Sequence, residues 1–155
     1  MLLGLEAMAY RPRFRLQPPT EWPDFETLCW SLWKAIWRDD NTQKHGRKGQ
    51  PQNGVDIYGQ PDKGPALAGV QCKGKDNYAK RKLTRKEVLD EVAKAKSFDP
   101  KLSKFIIATT ASRDREIQKL ARKITTSHKA KGLFSVTVCS WEDIEDLLLE
   151  YKPEI

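Results

Sequence analysis

The sequence predicts an α/β domain in which a central mixed sheet is sandwiched between helices, a three-layer α/β/α arrangement with element order α-β-β-α-β-α-β-α. Three observations lead there. Short apolar runs of strand length alternate with longer stretches whose apolar residues recur at helical spacing. The run "KFIIATT" (104–110) is apolar at consecutive positions, which is what a strand needs when both of its faces are covered. The chain has 155 residues, enough for one domain with a proper core and too few for two comfortable ones.

Residues 1–19 are expected to form a flexible N-terminal segment, and 20–152 the folded domain. The opening "MLLGLEAMAY" is apolar but too short to span a membrane, lacks a basic leader and runs into "RPRFR". No membrane partner is expected. Thr20 is placed to cap the first helix, with Glu21, Pro23 and Asp24 in its opening turn. Phe25, Leu28, Cys29, Leu32, Trp33 and Ile36 supply its buried stripe to about Trp37. The polar stretch "RDDNTQKHGRKGQPQN" is either a loop or a short edge strand.

Two strands then flank the turn-rich "GQPDKGP", one running from Val55 and the other carrying "GVQCK". Alternation places Val55 and Ile57 on one face and Asp56 and Tyr58 on the other. On the second strand Val70 and Cys72 share a face, with Gln71 and Lys73 opposite. An acid, an amide and an amine can therefore meet at one end of the sheet.

A basic loop, "KGKDNYAKRKLTRK", leads to Thr84-x-x-Glu87, a capping box opening a helix to about Ser97 with Val88, Val92 and Ala95 inward. After "KFIIATT", a helix starting at Ser112 carries Ile117, Leu120, Ala121 and Ile124, and Gly132 stops it. "LFSVTVCS" is the last strand. Ser140-x-x-Asp143 caps a final helix with Ile144, Leu147, Leu148 and Tyr151, ended by Pro153.

Twenty-eight Lys and Arg against 21 Asp and Glu leave a net charge of +7, which favours a polyanionic partner such as nucleic acid. The three cysteines are widely spaced, and neither histidine stands at zinc-ligand spacing from them. They read as buried free thiols in a reducing cytoplasm.

The motifs "NGVDIYG" and "GVQCKGK", the helix after them, "FIIATTASRD" and "SVTVCSWEDI" together resemble the PD-(D/E)XK nuclease superfamily. More narrowly they are similar to its Mrr-like branch, whose last motif is QxK, as in nuclease effector domains of bacterial antiphage proteins. The likeness spans roughly residues 20–150. Gln71 stands where an acid is usual, and Val55 precedes Asp56 where a proline is common. The resemblance implies a restriction-endonuclease-like fold and a Mg2+-dependent endonuclease, Mn2+ substituting, that cuts double-stranded DNA with little sequence preference. It also implies a homodimer or higher oligomer, and a sensor or NTPase module as a further partner. A Holliday-junction resolvase-type nuclease, or a DNA-binding module of the same fold with impaired catalysis, are the alternatives.

The chemistry of the residues agrees with that reading. Mg2+ takes oxygen ligands and keeps several waters, so one or two carboxylates suffice when phosphate oxygens complete the shell. Asp56 is the expected principal ligand and Gln71 offers a neutral carbonyl oxygen. Lys73 is suited to offset charge on the reacting phosphate. Glu26, on the flank of the first helix's stripe, is the expected third ligand, with Glu21 as the fallback; a solvated helix flank is the other reading of Glu26. Asp56 and Lys73 as a purely structural ion pair is likewise open. Glu91, one turn after Glu87, is within reach of such a site but is expected at the surface. Lys75, Lys80, Arg81, Lys82, Arg85 and Lys86 form a charge run read as a phosphate-gripping loop or a solvated surface.

Overall fold

Chain order is also sheet order in the computed structural model, which describes residues 16–46, 50, 53–76 and 81–153. Helix α1 (Trp22–Trp37) is followed by β1 (Gln43–Lys44), β2 (Ile57–Gly59), a single 3-10 turn (Pro61–Lys63) and β3 (Ala68–Lys73). Then come α2 (Arg85–Ala95), β4 (Lys104–Thr109), α3 (Arg115–Ala130), β5 (Ser135–Cys139) and α4 (Trp141–Tyr151). The order is thus α-β-β-β-α-β-α-β-α, one strand more than expected. That extra strand, β1, is the short edge strand that the polar stretch after α1 had left open, an exposed Gln and Lys paired with β2 at the margin of the sheet.

β1, β2 and β3 pair antiparallel, whereas β3, β4 and β5 pair parallel, with α2 and α3 as the crossovers the parallel pairs require. Apolar residues separate into two clusters according to sheet face. Phe25, Leu32 and Trp33 of α1 and Ile144 and Leu148 of α4 pack with Ile57, Val70, Cys72 and Ile106. Val88 and Val92 of α2 and Ile117 and Leu120 of α3 pack with Val55, Phe105, Ile107 and Val136. Cys29 and Cys72 are buried free thiols and Cys139 is a half-buried one.

Helix ends follow local chemistry, with two shifts. α1 starts after Glu21, not Thr20, and has no side-chain cap. α3 starts after Asp114, whose carboxylate accepts from the N–H groups of Glu116 and Ile117, so Ser112 stays in the preceding loop. The Thr84 and Glu87 capping box forms as the spacing predicts. Residues 1–15 of the segment expected to be flexible lie outside the described residues. Leu16 is fixed on α4, donating its N–H to Glu145 and accepting from the Trp141 indole through its carbonyl. Among the described residues no helix is long and apolar enough to cross a membrane.

One face assignment is corrected. Val55 and Ile57 do not share a face: Val55 packs with the α2 cluster and Ile57 with the α1 cluster. The ladder with β3 begins only at Ile57, paired with Val70, so Val55 precedes the pleat and strand alternation does not govern it. Asp56 makes the bend between them, and Gly54 makes the turn just before Val55. Gly54 has φ +70°, and a Cβ there would lie 2.8 Å from Lys94 Cβ and 3.1 Å from the Glu91 carbonyl oxygen. The loop entering β2 is therefore seated directly on the turn of α2 that holds Glu91. Gly54→Ala should cost about 2 kcal/mol or more, from backbone strain and overpacking together. A urea denaturation midpoint unchanged from wild type would contradict this seating.

Candidate functional site

Strand β3 is where antiparallel pairing gives way to parallel, and Asp56 is held against it. The Asp56 N–H donates to the Val70 carbonyl at 2.8 Å, and its own carbonyl accepts from the His45 N–H at 2.7 Å. Its side chain then takes over the ladder: Oδ2 accepts the Cys72 N–H at 2.9 Å. This fixes the carboxylate between β2 and β3, and Asp56 is only 2% exposed. The expectation that a polar strand residue stays out of the interior is corrected here, because the bend at Asp56 turns its side chain onto the neighbouring strand.

Gln71 and Lys73 lie on the α2 side of β3, opposite Val70 and Cys72, and Lys73 meets Glu91 there. Lys73 Nζ is 3.1 Å from Glu91 Oε1, and Lys94 Nζ is 3.6 Å from the same oxygen. Glu91 is 3% exposed, a correction to its expected surface position. Its position in α2 explains this. Val88, Glu91, Val92 and Ala95 are the buried residues of the helix, a single i, i+3, i+4, i+7 stripe with the carboxylate inside it. That spacing was the available signal.

Two side-chain oxygens on this side of the sheet lack any donor: Gln71 Oε1 and Glu91 Oε2 are buried without a hydrogen-bond partner. A buried acceptor left without a donor is costly, and such atoms in a native site call for an absent ion or water. Asp56 reports the same electron-rich surroundings. Burial first of all, offset by the Cys72 N–H, then the nearby Glu26 and Glu91 carboxylates against the Lys73 ammonium, push its pKa up to about 6. Glu26 is half-buried on α1 and near enough to act on Asp56, whereas Glu21 stands exposed at the residue before α1 and makes no capping bond.

The basic run does not act as a block. Lys75 is spent on Glu87 of α2, and Lys86 pairs with Asp90 one turn along the same helix. The capping-box glutamate thus also pairs with Lys75, the first residue of the charge run. Arg81, Lys82 and Arg85 are exposed, and Lys80 lies outside the described residues. Beside this loop a cleft of about 370 Å3 opens between the start of α1 and the end of β3, lined by Trp22, Phe25, Gly74 and Lys75. None of Asp56, Gln71, Lys73, Glu91 and Glu26 lines it; Gly74 and Lys75 directly follow Lys73 in the chain.

Comparison of the chain with family models, with curated proteins and with solved structures gives no match. No group of three or more His, Cys, Asp or Glu side chains stands ready as a metal cage among the described residues. The donor set is instead mixed: a buried carboxylate, an amide oxygen without a donor, and a second buried carboxylate with one oxygen without a donor.

Proposed function

We propose that this chain is a Mg2+-dependent endonuclease domain of the PD-(D/E)XK class, Mrr-like branch, cutting double-stranded DNA with little sequence preference. The observation that carries the reading is the grouping of the buried Asp56 and Glu91 with Lys73, together with two buried oxygens without a donor, Glu91 Oε2 and the Oε1 of Gln71 on the same face of β3 as Lys73. Oxygen acceptors of this kind fit a hard cation, with Asp56, Gln71 and Glu91 holding it and Glu26 near enough to assist. When bound, Mg2+ supplies Lewis-acid polarisation of a phosphate and acidifies water.

The chain's own groups do the rest. Lys73, anchored by Glu91, presents an ammonium at the end of β3 that offsets charge growing on the reacting phosphate and orients water beside it. Asp56 is ionised above pH 6 and so competent as an acceptor at neutral pH. The +7 net charge favours a polyanionic substrate. Apolar clusters on both sheet faces support the α/β/α layering of this nuclease class. An antiphage or restriction setting in the cytoplasm, with a sensor or NTPase module as partner, is carried by the sequence resemblance.

Nicking of supercoiled plasmid tests the reading: cleavage should require Mg2+ or Mn2+ and stop with EDTA. Absence of cleavage with either metal, in the presence of measurable duplex binding, would leave a binding module of the same fold. Gln71 gives a finer test. Its amide contributes an oxygen without the charge a carboxylate would add beside Asp56, so metal binding should be weak until DNA phosphates join the shell. Gln71→Glu should bind Mg2+ more tightly without DNA and keep part of the activity, while Gln71→Ala should lose most of it. Titrating metal with and without a short duplex checks both, and tight metal binding by the wild type alone would contradict the scheme.

A further inference from the structure

Lys34 of α1 and Lys44 of β1 hold their ammonium groups over one aromatic ring. Lys34 Nζ lies 4.8 Å from the Trp30 ring centroid and Lys44 Nζ 5.8 Å from it. The ring is half-buried and pinned, because its indole N–H donates to the Thr42 carbonyl at 2.9 Å, two residues before Lys44. Lys44 Nζ also donates to Thr27 Oγ1 at 2.8 Å. Tryptophan offers cations the best aromatic face, so two long side chains that would otherwise sweep through solvent are held in place.

What this pair lacks is an anion. Neither lysine has a carboxylate partner among the described residues, whereas Lys73, Lys75, Lys86 and Arg113 each have one. The residues three and four positions either side of Lys34 are Trp30, Ser31, Trp37 and Arg38, none of them acidic. Asp39, just past α1, accepts from the N–H groups of Asn41 and Gln60, and Asp62 pairs with Arg38. Like charges kept beside each other without a counter-charge repel, and an anion bound between them relieves that.

Placement says which anion. Glu26, Trp30 and Lys34 recur every four residues along one side of α1, which puts Lys34 about 12 Å along the helix from Glu26. Glu26 is near enough to act on Asp56, and Thr27, which holds Lys44, follows it in the chain. From the sheet side, Lys44 pairs with Ile57, the residue after Asp56, and the His45 N–H donates to the Asp56 carbonyl. The two ammonium groups therefore border a strip that starts beside the candidate metal cluster and follows the edge strand. A strip of positive charge leading to a phosphate-cutting site suits a chain of phosphates.

We propose that Lys34 and Lys44, held over Trp30, grip the phosphodiester backbone of duplex DNA on the α1 side of the candidate cleavage site, a contact separate from the basic run after β3. The choice of duplex DNA rests on the nuclease reading. Phosphate contacts position a duplex without reading its sequence, in keeping with low sequence preference.

Anisotropy of a labelled duplex in EDTA, which withholds the metal, tests this apart from cleavage. Lys34→Gln combined with Lys44→Gln should weaken binding about tenfold or more at low salt, equally for duplexes of unrelated sequence, and lower the slope of log affinity against log salt by about 1.8. Lys119→Gln combined with Lys123→Gln removes the same charge from exposed positions of α3, across the sheet from α1, and should leave the slope close to that of wild type. Circular dichroism should show both variants folded, since each change lies outside the core. Equal losses in the two double variants overturn the proposal, reducing the effect to net charge. A wild-type slope in the Lys34 and Lys44 variant overturns it too, as does a wild type that binds no duplex. The nuclease reading fails separately. Wild type that binds duplex through these lysines yet cuts no plasmid with Mg2+ or Mn2+ keeps the contact and loses the nuclease, whereas a Lys34 and Lys44 variant that binds and cuts like wild type keeps the nuclease and loses the contact.

Discussion

Asp56→Asn should lose metal-dependent cleavage while gaining stability above pH 6, two effects of opposite sign from one substitution. The stability sign follows from the direction of the pKa shift. An aspartate has an ordinary value of 3.8, and in the fold Asp56 is held at about 6, chiefly by burial. The folded chain thus binds the proton more tightly than the unfolded one. The stabilisation that comes with protonation is complete below about 3.8 and lost as pH rises through about 6. At neutral pH the ionised group therefore costs the fold on the order of 3 kcal/mol, which a neutral amide of the same shape avoids. Asn keeps an oxygen for the Cys72 N–H. Removing the anionic ligand at the centre of the cluster should slow cleavage on the order of 10³-fold or more, several kcal/mol of lost stabilisation of the reacting phosphate. Denaturation of wild type and variant at pH 4.5 and pH 8 gives the stability difference, which should be large only at pH 8. Adding Mg2+ at pH 8 should raise the midpoint of wild type and not of the variant. Equal stabilities at both pH values would remove the unfavourable charge from the site, and unaltered cleavage would remove Asp56 from the chemistry.

That cost bears on what the sequence could reveal. Gln71 and Lys73 were legible because β3 is a regular six-residue strand, where a period of two is enough to place both on one face. Asp56 was legible as a candidate and not as a buried one. Its burial depends on a bend before the ladder and on a hydrogen bond to the next strand, neither of which has a periodic signature. Glu91 shows the opposite failure. Its spacing from Val88, Val92 and Ala95 was visible, but a carboxylate among lysines reads as a solvated flank until Lys73, eighteen positions earlier, is known to reach it. The pairing of Lys75 with Glu87 was not legible either, since Glu87 belongs to an element that the charge run itself introduces. Local chemistry set the helices and caps well. The fold's placement of α2 over β3 decides which charges are spent on each other, and that lies beyond any local pattern.

The ion pair of Lys73 and Glu91 allows the structural and chemical readings to be separated by stability and activity together. Lys73→Met leaves Glu91, 3% exposed, with only the more distant Lys94 at 3.6 Å, so a buried charge keeps one weaker, solvent-exposed partner. A cost of about 3–5 kcal/mol is expected. Glu91→Leu should cost less, because the Lys73 side chain is 28% exposed and can turn its ammonium to water. Combining the two replaces a buried pair by apolar groups, which is commonly neutral or stabilising by about 1–4 kcal/mol relative to the pair. The double variant should therefore recover the stability lost by Lys73→Met and still fail to cut plasmid. If the pair were only a structural bridge, the double variant would fold and cleave like wild type, and Lys73 would have no part in the reaction. Glu91→Gln separates the remaining roles. It keeps the shape but removes the charge beside Asp56, so Mg2+ measured by calorimetry should bind more weakly if Glu91 Oε2 faces the cation. Unchanged Mg2+ affinity with slowed cleavage would make Glu91 the positioning residue for Lys73 alone, and would return the third metal ligand to Glu26.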